Sequence, residues 1–235
     1  MGVLQQDSGA LVSRPRVAFW ARPAACLLAL WTLERAAPAQ VGTNVVIQEI
    51  LYDPPADANG DGIFSGSGAN QNDEFVELVN THTSAVDVTG WQLRVGTNIA
   101  FTFPALVVGS QSAIVVFGGG APAGSFGGAS VFAAGGTWPG LPNPGAIVTL
   151  LDPVAGATNS AADYTAFADN LNESITRNPE NPAGAFVRHS TVAPCAQLYS
   201  PGIRAGGQPW PGSGLTNSAP CLQPGADAFT QVGRG

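Results

Sequence analysis

Short runs of β-branched and aromatic residues, separated by Gly, Pro, Asn and Asp, recur along this chain from residue 45 onward. Such runs predict β-strands, and the residues between them predict turns. The strongest runs are 45–52, 74–80, 112–117 and 146–151, and no convincing helical pattern follows Gln40. The pattern therefore predicts an all-β fold of about eight or nine short strands, arranged as a sandwich or barrel, with long Gly-rich loops.

Weaker runs and one glycine-rich segment complete this prediction. Both faces of 74–80 carry apolar residues, which predicts a central strand that is covered on both sides. Residues 118–140 hold nine glycines, and we expect a surface loop that is anchored by Phe126, Phe132 and Trp138. The weaker strands are predicted at 86–88, 90–95, 99–103, 164–167, 174–177 and 186–189.

The first 39 residues have the features of a secretory signal peptide. Arg14, Arg16 and Arg22 precede an apolar run at 24–31, and the small-x-small triplet 37–39 predicts cleavage before residue 40. The apolar run is too short to span a bilayer. A buried helix is the alternative interpretation. No second apolar stretch of membrane length follows, so we expect a secreted protein, extracellular or at the cell surface, with no membrane span after the signal is removed.

Charge and cysteine content agree with export. Residues 40–235 contain five Arg and no Lys against 14 acids, a net charge of −9, which disfavours nucleic acid as a partner. Cys195 and Cys221 remain after the signal, and they are expected to form one disulfide, with two free thiols as the alternative. This bond would tether a Pro- and Gly-rich tail, residues 206–235, to a domain spanning residues 40–205.

A run of alternating oxygen donors predicts a calcium site. Asp57, Asn59 and Asp61 occupy the first, third and fifth positions of a loop that resembles an EF-hand loop. The carbonyl group of Ile63 offers a ligand at the seventh position. The twelfth position is Gly68 instead of a bidentate Glu, so the loop does not complete the EF-hand pattern.

Carboxylates outside the loop can supply the missing ligand. Asp73 and Glu74 lie just before the second strong strand, and we include both in the predicted calcium site. The alternative is an ordinary surface turn, because Asp-Gly and Asn-Gly are common turn dipeptides.

The order of several short motifs resembles the lamin-tail domain family. The resemblance covers about residues 44–205, and the ending, with Ser200-Pro201-Gly202, resembles that of exported bacterial members. It implies an immunoglobulin-like β-sandwich in which Trp91 is a core aromatic residue. The motifs, in chain order, are 46–50, 73–80, 88–93, 101–104, 112–117, 137–140, 147–152, 172–177 and 200–202.

The sequence predicts no catalytic residue. Glu49, Glu74 and Glu77 could form a carboxylate pair for glycoside hydrolysis, but acids on adjacent strands are more often solvated or bound to a cation. His82 and His189 have no motif partner, and we expect each to be exposed or hydrogen-bonded.

We therefore expect an exported, non-enzymatic structural or adhesion module, stabilised by calcium, whose partner is an extracellular protein or a glycan. One alternative is a carbohydrate-binding accessory domain that uses Trp138 or Trp210 as an exposed stacking platform. A secreted hydrolase that depends on Glu77 is the other.

Overall fold

The computed structural model describes residues 44–65, 71–167, 169, 171–194 and 197–216. The predicted signal peptide, Cys195 and Cys221 lie outside these residues, so the signal and the disulfide stay predictions. Within the described part of the chain, no helix is long and apolar enough to cross a membrane.

The described residues form twelve β-strands and several short 3₁₀ turns, which confirms the all-β prediction. The strands are β1 (Val45–Leu51), β2 (Phe75–Asn80), β3 (Val86–Asp87), β4 (Gln92–Val95), β5 (Asn98–Thr102), β6 (Val107–Val108), β7 (Ala113–Phe117), β8 (Ser130–Ala133), β9 (Ile147–Asp152), β10 (Ala157–Asp163), β11 (Ile175–Asn178) and β12 (Ala185–Arg188).

Two sheets form the sandwich. The larger has the order β12-β11-β1-β2-β7-β8, and the smaller has the order β10-β9-β4-β5, while β3 and β6 form a separate short pair. Neighbouring strands are antiparallel except β7 and β8, which are parallel. The apolar faces of the two main sheets bury one continuous core, so the sandwich form of the prediction is confirmed. Trp91, which the resemblance implies to be a core aromatic residue, is partly buried and packs against this core.

The larger sheet is covered on its outer face as well. Every residue of β1, β2 and β7 is buried, which confirms the prediction of a central strand at 74–80 that is covered on both sides. On the outer face, a second apolar cluster includes Phe75, Phe117, Phe126 and Tyr199. Residues 197–216, which we call the strap, cross this face, and half of them are buried, all between Gln197 and Trp210.

A β-bulge in β1 decides which side chains face the strap. The register against β2 shifts between Ile47 and Glu49, so Gln48 is the extra residue. Ile47 and Ile50 both reach the inter-sheet core, although they are three residues apart. Glu49 is therefore turned to the outer face, directly opposite Glu77 on β2.

The glycine-rich segment 118–140 is more ordered than a surface loop. It contributes strand β8, which pairs with β7 over four residues. The three expected anchors are present: Phe126 packs on Phe117, Phe132 packs on Phe101, and the indole of Trp138 bonds to Glu74.

Candidate functional site

The acidic loop is held together by its own side chains. Asp57 accepts hydrogen bonds from the backbone N–H groups of Gly60 and Gly62, each at 2.7 Å. The side chain of Asn59 accepts from the N–H of Asp61, and Asp61 in turn accepts from the N–H of Ile63, both at 2.9 Å. These are the Asx-type bonds of a compact turn.

Asp73 reaches the same loop from the start of β2. Its carboxylate is fully buried and accepts from the N–H groups of Ala58, Asn59 and Ser65, at 2.8, 3.1 and 2.6 Å. Burial raises the pKa of Asp73, and the three hydrogen bonds oppose this rise because they favour the charged form. Asp73 therefore anchors the loop to the sheet.

Glu74 does not face the loop backbone that Asp73 holds. Its Oε2 accepts from the indole N–H of Trp138 and from the N–H of Leu141, both at 2.7 Å. Burial raises the pKa of Glu74 to about 8, although these two bonds favour the charged form. The carboxylate thus fastens the end of the glycine-rich segment to the start of β2.

The structure thus brings together five of the six predicted calcium ligands in one hydrogen-bonded loop, and only Glu74 bonds elsewhere. The five are Asp57, Asn59, Asp61, Ile63 and Asp73. Ile63 is 65% exposed at the edge of this loop. In the described residues, no three His, Cys, Asp or Glu side chains are grouped to hold a metal ion. The carboxylate oxygens accept backbone N–H groups, as they do in an ordinary turn, and the calcium site stays a prediction.

A second set of acidic side chains lies under the strap. Glu77 is fully buried; its Oε1 accepts from the indole N–H of Trp210 at 3.0 Å and its Oε2 from the N–H of Gly202 at 2.6 Å. Burial, and then the nearby charge of Glu49, raises the pKa of Glu77 well above its usual range. Each of its carboxylate oxygens holds one point of the strap.

Glu49, on the strand β1 that neighbours the strand of Glu77, also binds the strap. Its Oε1 accepts from the hydroxyl of Ser174 at 2.7 Å and from the N–H of Ser200 at 2.8 Å. The hydroxyl of Ser200 lies 2.7 Å from Glu49 Oε2 and 2.7 Å from His189 Nε2. His189 Nδ1 lies 2.9 Å from the carbonyl oxygen of Gln197. All four side chains of this network are buried.

The sequence offered three glutamates, any two of which could form a hydrolytic pair, and the structure places one of them apart from the other two. Glu49 and Glu77 lie together but beneath the strap, while Glu74 bonds to Trp138. His189 is 0% exposed and hydrogen-bonded, in agreement with the sequence interpretation, and His82 is an exposed turn residue. Ser174 and Ser200 both lie in motifs of the family resemblance, but no role was predicted for either serine.

The two predicted aromatic platforms are both tied to carboxylates. The expectation that Trp210 is exposed is wrong: it is 5% exposed, and its indole N–H is bonded to Glu77. Trp138 is half-buried and bonded to Glu74.

An open cleft does lie beside Trp210. It has a volume of about 400 Å³ and runs between the strap and the turn that joins β11 to β12. Arg204 lies at this cleft, with its guanidinium 5.7 Å from the Trp210 ring and its Nε 2.5 Å from Glu180. Polar side chains that line it include Thr81, Gln111 and Asn181.

Comparison with known proteins agrees with this architecture. The family model described as Lamin Tail Domain matches residues 38–167, which is more than half of the 235-residue chain. No curated protein matches the chain. The matched segment contains the acidic loop, Glu49, Glu74 and Glu77, whereas His189, Ser200 and the strap follow it. With its two packed sheets and this match, the chain belongs to the lamin tail domain family, whose fold is immunoglobulin-like.

Proposed function

We propose that this protein is an exported structural module that serves as a scaffold or in adhesion and has no enzymatic activity. The proposal rests on one observation: the buried carboxylates bind parts of this chain itself. Asp73, Glu74, Glu49 and Glu77 each accept hydrogen bonds that fix a loop or the strap to the sheet. Groups that bind backbone amides in this way stabilise a rigid body.

Export is supported by the basic and apolar N-terminal segment and by the acidic, Lys-free remainder. Expression of the full chain in a bacterial host, followed by fractionation and N-terminal sequencing of the secreted protein, tests this part. We expect a mature N-terminus at Gln40. Retention of an uncleaved chain inside the cell would contradict export.

The absence of activity is tested with a panel of glycoside, ester and peptide substrates. Glu77→Gln is the matched control, because the hydrolase alternative assigns the reaction to that carboxylate. We expect the wild type to show no turnover above the level of this variant. Turnover that the substitution abolishes would establish the hydrolase instead.

Calcium binding at the acidic loop stays a prediction that supports the same function. A thermal melt in EDTA and in millimolar calcium measures it, because a site at 100 times its dissociation constant adds about 2.7 kcal/mol. We expect Asp57→Ala with Asp61→Ala to abolish the shift, and Asp87→Ala, at an exposed acid in β3, to leave it unchanged. An equal melting temperature in both buffers would show that the loop is an ordinary turn that calcium does not stabilise.

The second candidate function is carbohydrate binding, and the cleft beside Trp210 favours it. Amide and hydroxyl groups can both donate to and accept from sugar hydroxyls, and the cleft is large enough for a small saccharide. A glycan array compares the wild type with Gln111→Ala and Asn181→Ala, and Trp138→Ala, away from the cleft, is the control. Binding that only the two cleft variants lose would support this candidate.

A further inference from the structure

The network of Glu49, Ser200 and His189 fixes how many protons it holds. The carbonyl oxygen of Gln197 can only accept a hydrogen bond, so the Nδ1 of His189 that lies 2.9 Å away must carry a hydrogen. The tautomer of His189 is therefore set by its backbone partner. Its Nε2 then either donates to Ser200 or accepts from it.

Ser200 has one hydroxyl hydrogen and two partners at 2.7 Å. If this hydrogen goes to Glu49, the hydroxyl oxygen must accept from His189 Nε2–H, and the ring is an imidazolium beside a carboxylate. If it goes to His189, the oxygen must accept from a protonated Glu49, and both groups are neutral. In either arrangement Glu49 Oε2 and His189 Nε2 hold one proton between them.

A Glu and a His that are exposed to water do not share a proton in this way at neutral pH. In water, Glu is ionised above about pH 4.3 and His loses its ring proton near pH 6.5, so an exposed pair holds no such proton at pH 7.5. Losing that proton inside the network would leave one 2.7 Å contact between two lone pairs. The four side chains are buried, so water does not take the place of the missing donor.

We propose that Glu49, Ser200 and His189 share a single buried proton, and that this proton fastens the strap to the larger sheet. The strap then loosens as the pH rises above neutrality. This inference rests on the hydrogen-bond geometry and is independent of the proposed function.

Several other charged groups face the network. Glu77 on β2 is directly opposite Glu49 and carries its own pH dependence. Arg188 at the end of β12 lies 4.0 Å from Glu173, which also accepts from the N–H of Ser190. Arg177 on β11 donates to the carbonyl groups of Ile47 and Gly184. Arg204 of the strap pairs with Glu180.

The test is hydrogen exchange at the Ser200 amide, measured by NMR on the full chain. If the closed strap holds one proton more than the open strap, the opening equilibrium rises tenfold per pH unit. We expect the protection factor to fall at least tenfold between pH 7 and pH 8, because any proton that Glu77 releases on opening adds to the fall. Protection that does not change over this interval would overturn the proposal.

Glu49→Gln is the matched variant, because its amide can reproduce every bond without a titrating proton. The amide oxygen accepts from Ser174 and from the N–H of Ser200, the amide nitrogen donates to the Ser200 hydroxyl, and that hydroxyl donates to a neutral His189. Glu77 is retained in both proteins, so its titration contributes to both. We expect the ratio of wild-type to variant protection to fall about tenfold per pH unit. A constant ratio would overturn the proposal.

A second measurement does not depend on whether the variant folds. The ¹⁵N signals of the His189 ring in the wild type report which nitrogen carries hydrogen. We expect Nδ1 to be protonated throughout pH 6–8. An unprotonated Nδ1 would remove the first step of the proton count and with it the proposal.

Discussion

Glu49 and Glu77 are direct partners across β1 and β2, yet both carboxylates bind the strap and neither meets solvent. Two buried acids at one register position repel each other when both are charged, and this repulsion adds to the effect of burial on Glu77. Donors from the strap offset the repulsion. The strap and the acids therefore stabilise each other, and loss of either destabilises the outer face of the sheet.

Glu77→Ala is expected to lower the free energy of unfolding by about 2–4 kcal/mol, because the buried N–H groups of Trp210 and Gly202 lose their acceptors. Urea unfolding followed by tryptophan fluorescence measures the loss. Val154→Ala, at a side chain that is 94% exposed, is the control and should change stability by less than about 0.5 kcal/mol. Equal stability of the two variants would show that the strap does not depend on Glu77.

Glu74 gives a pH dependence of defined sign. Its pKa is raised from 4.5 to about 8, so the folded chain keeps a proton that the unfolded chain releases. The stabilisation is fully present below pH 4.5 and is lost as the pH rises to about 8, with a slope of up to about 1.4 kcal/mol per pH unit. We expect Glu74→Gln to remove this slope from urea unfolding measured between pH 5 and pH 8. An unchanged slope would contradict the protonation of Glu74.

Two glycines of the strap form a matched pair. Gly202 has φ +82°, and a Cβ there would lie 2.0 Å from the carbonyl oxygen of Phe126, whereas a Cβ at Gly206 meets nothing within 4 Å. Gly202→Ala is expected to cost at least about 2 kcal/mol from backbone strain and overlap, and Gly206→Ala about zero. Differential scanning calorimetry compares the two variants. Equal melting temperatures would contradict the close approach of Gly202 to the carbonyl oxygen of Phe126.

The segment that matches the family is not expected to fold alone. A fragment of residues 38–167 lacks β11, the neighbour of β1, and lacks the strap over Phe75 and Phe117. Far- and near-UV circular dichroism should show a fixed tertiary structure for residues 38–216 and none for the shorter fragment. A cooperative melt of the shorter fragment would show that the later residues are an accessory.

The strongest strands were predictable because their residues are apolar on both faces. β1, β2, β7 and β9 follow from such runs. In contrast, β10 has the sequence ATNSAAD, which carries little strand propensity, and it forms because it pairs with β9 along its whole length. The run predicted at 164–167 is a 3₁₀ turn at Thr165–Phe167.

The site was less predictable than the fold. Simple alternation places Glu49 on the same face as Ile47, and only the bulge at Gln48 turns it toward the strap. The acidic loop was visible as a pattern, but the pattern did not reveal that Glu74 bonds to Trp138, which is 64 residues away. Pairings of this length depend on the folded topology.

The strap also determines which part of the fold is completed late. Ser200 binds Glu49 across 151 residues, so one of the last described segments to be synthesised completes the surroundings of the first strand. Contacts this distant form late, because the intervening chain must be ordered first. A nascent chain therefore cannot complete the surroundings of β1 until the strap has been synthesised.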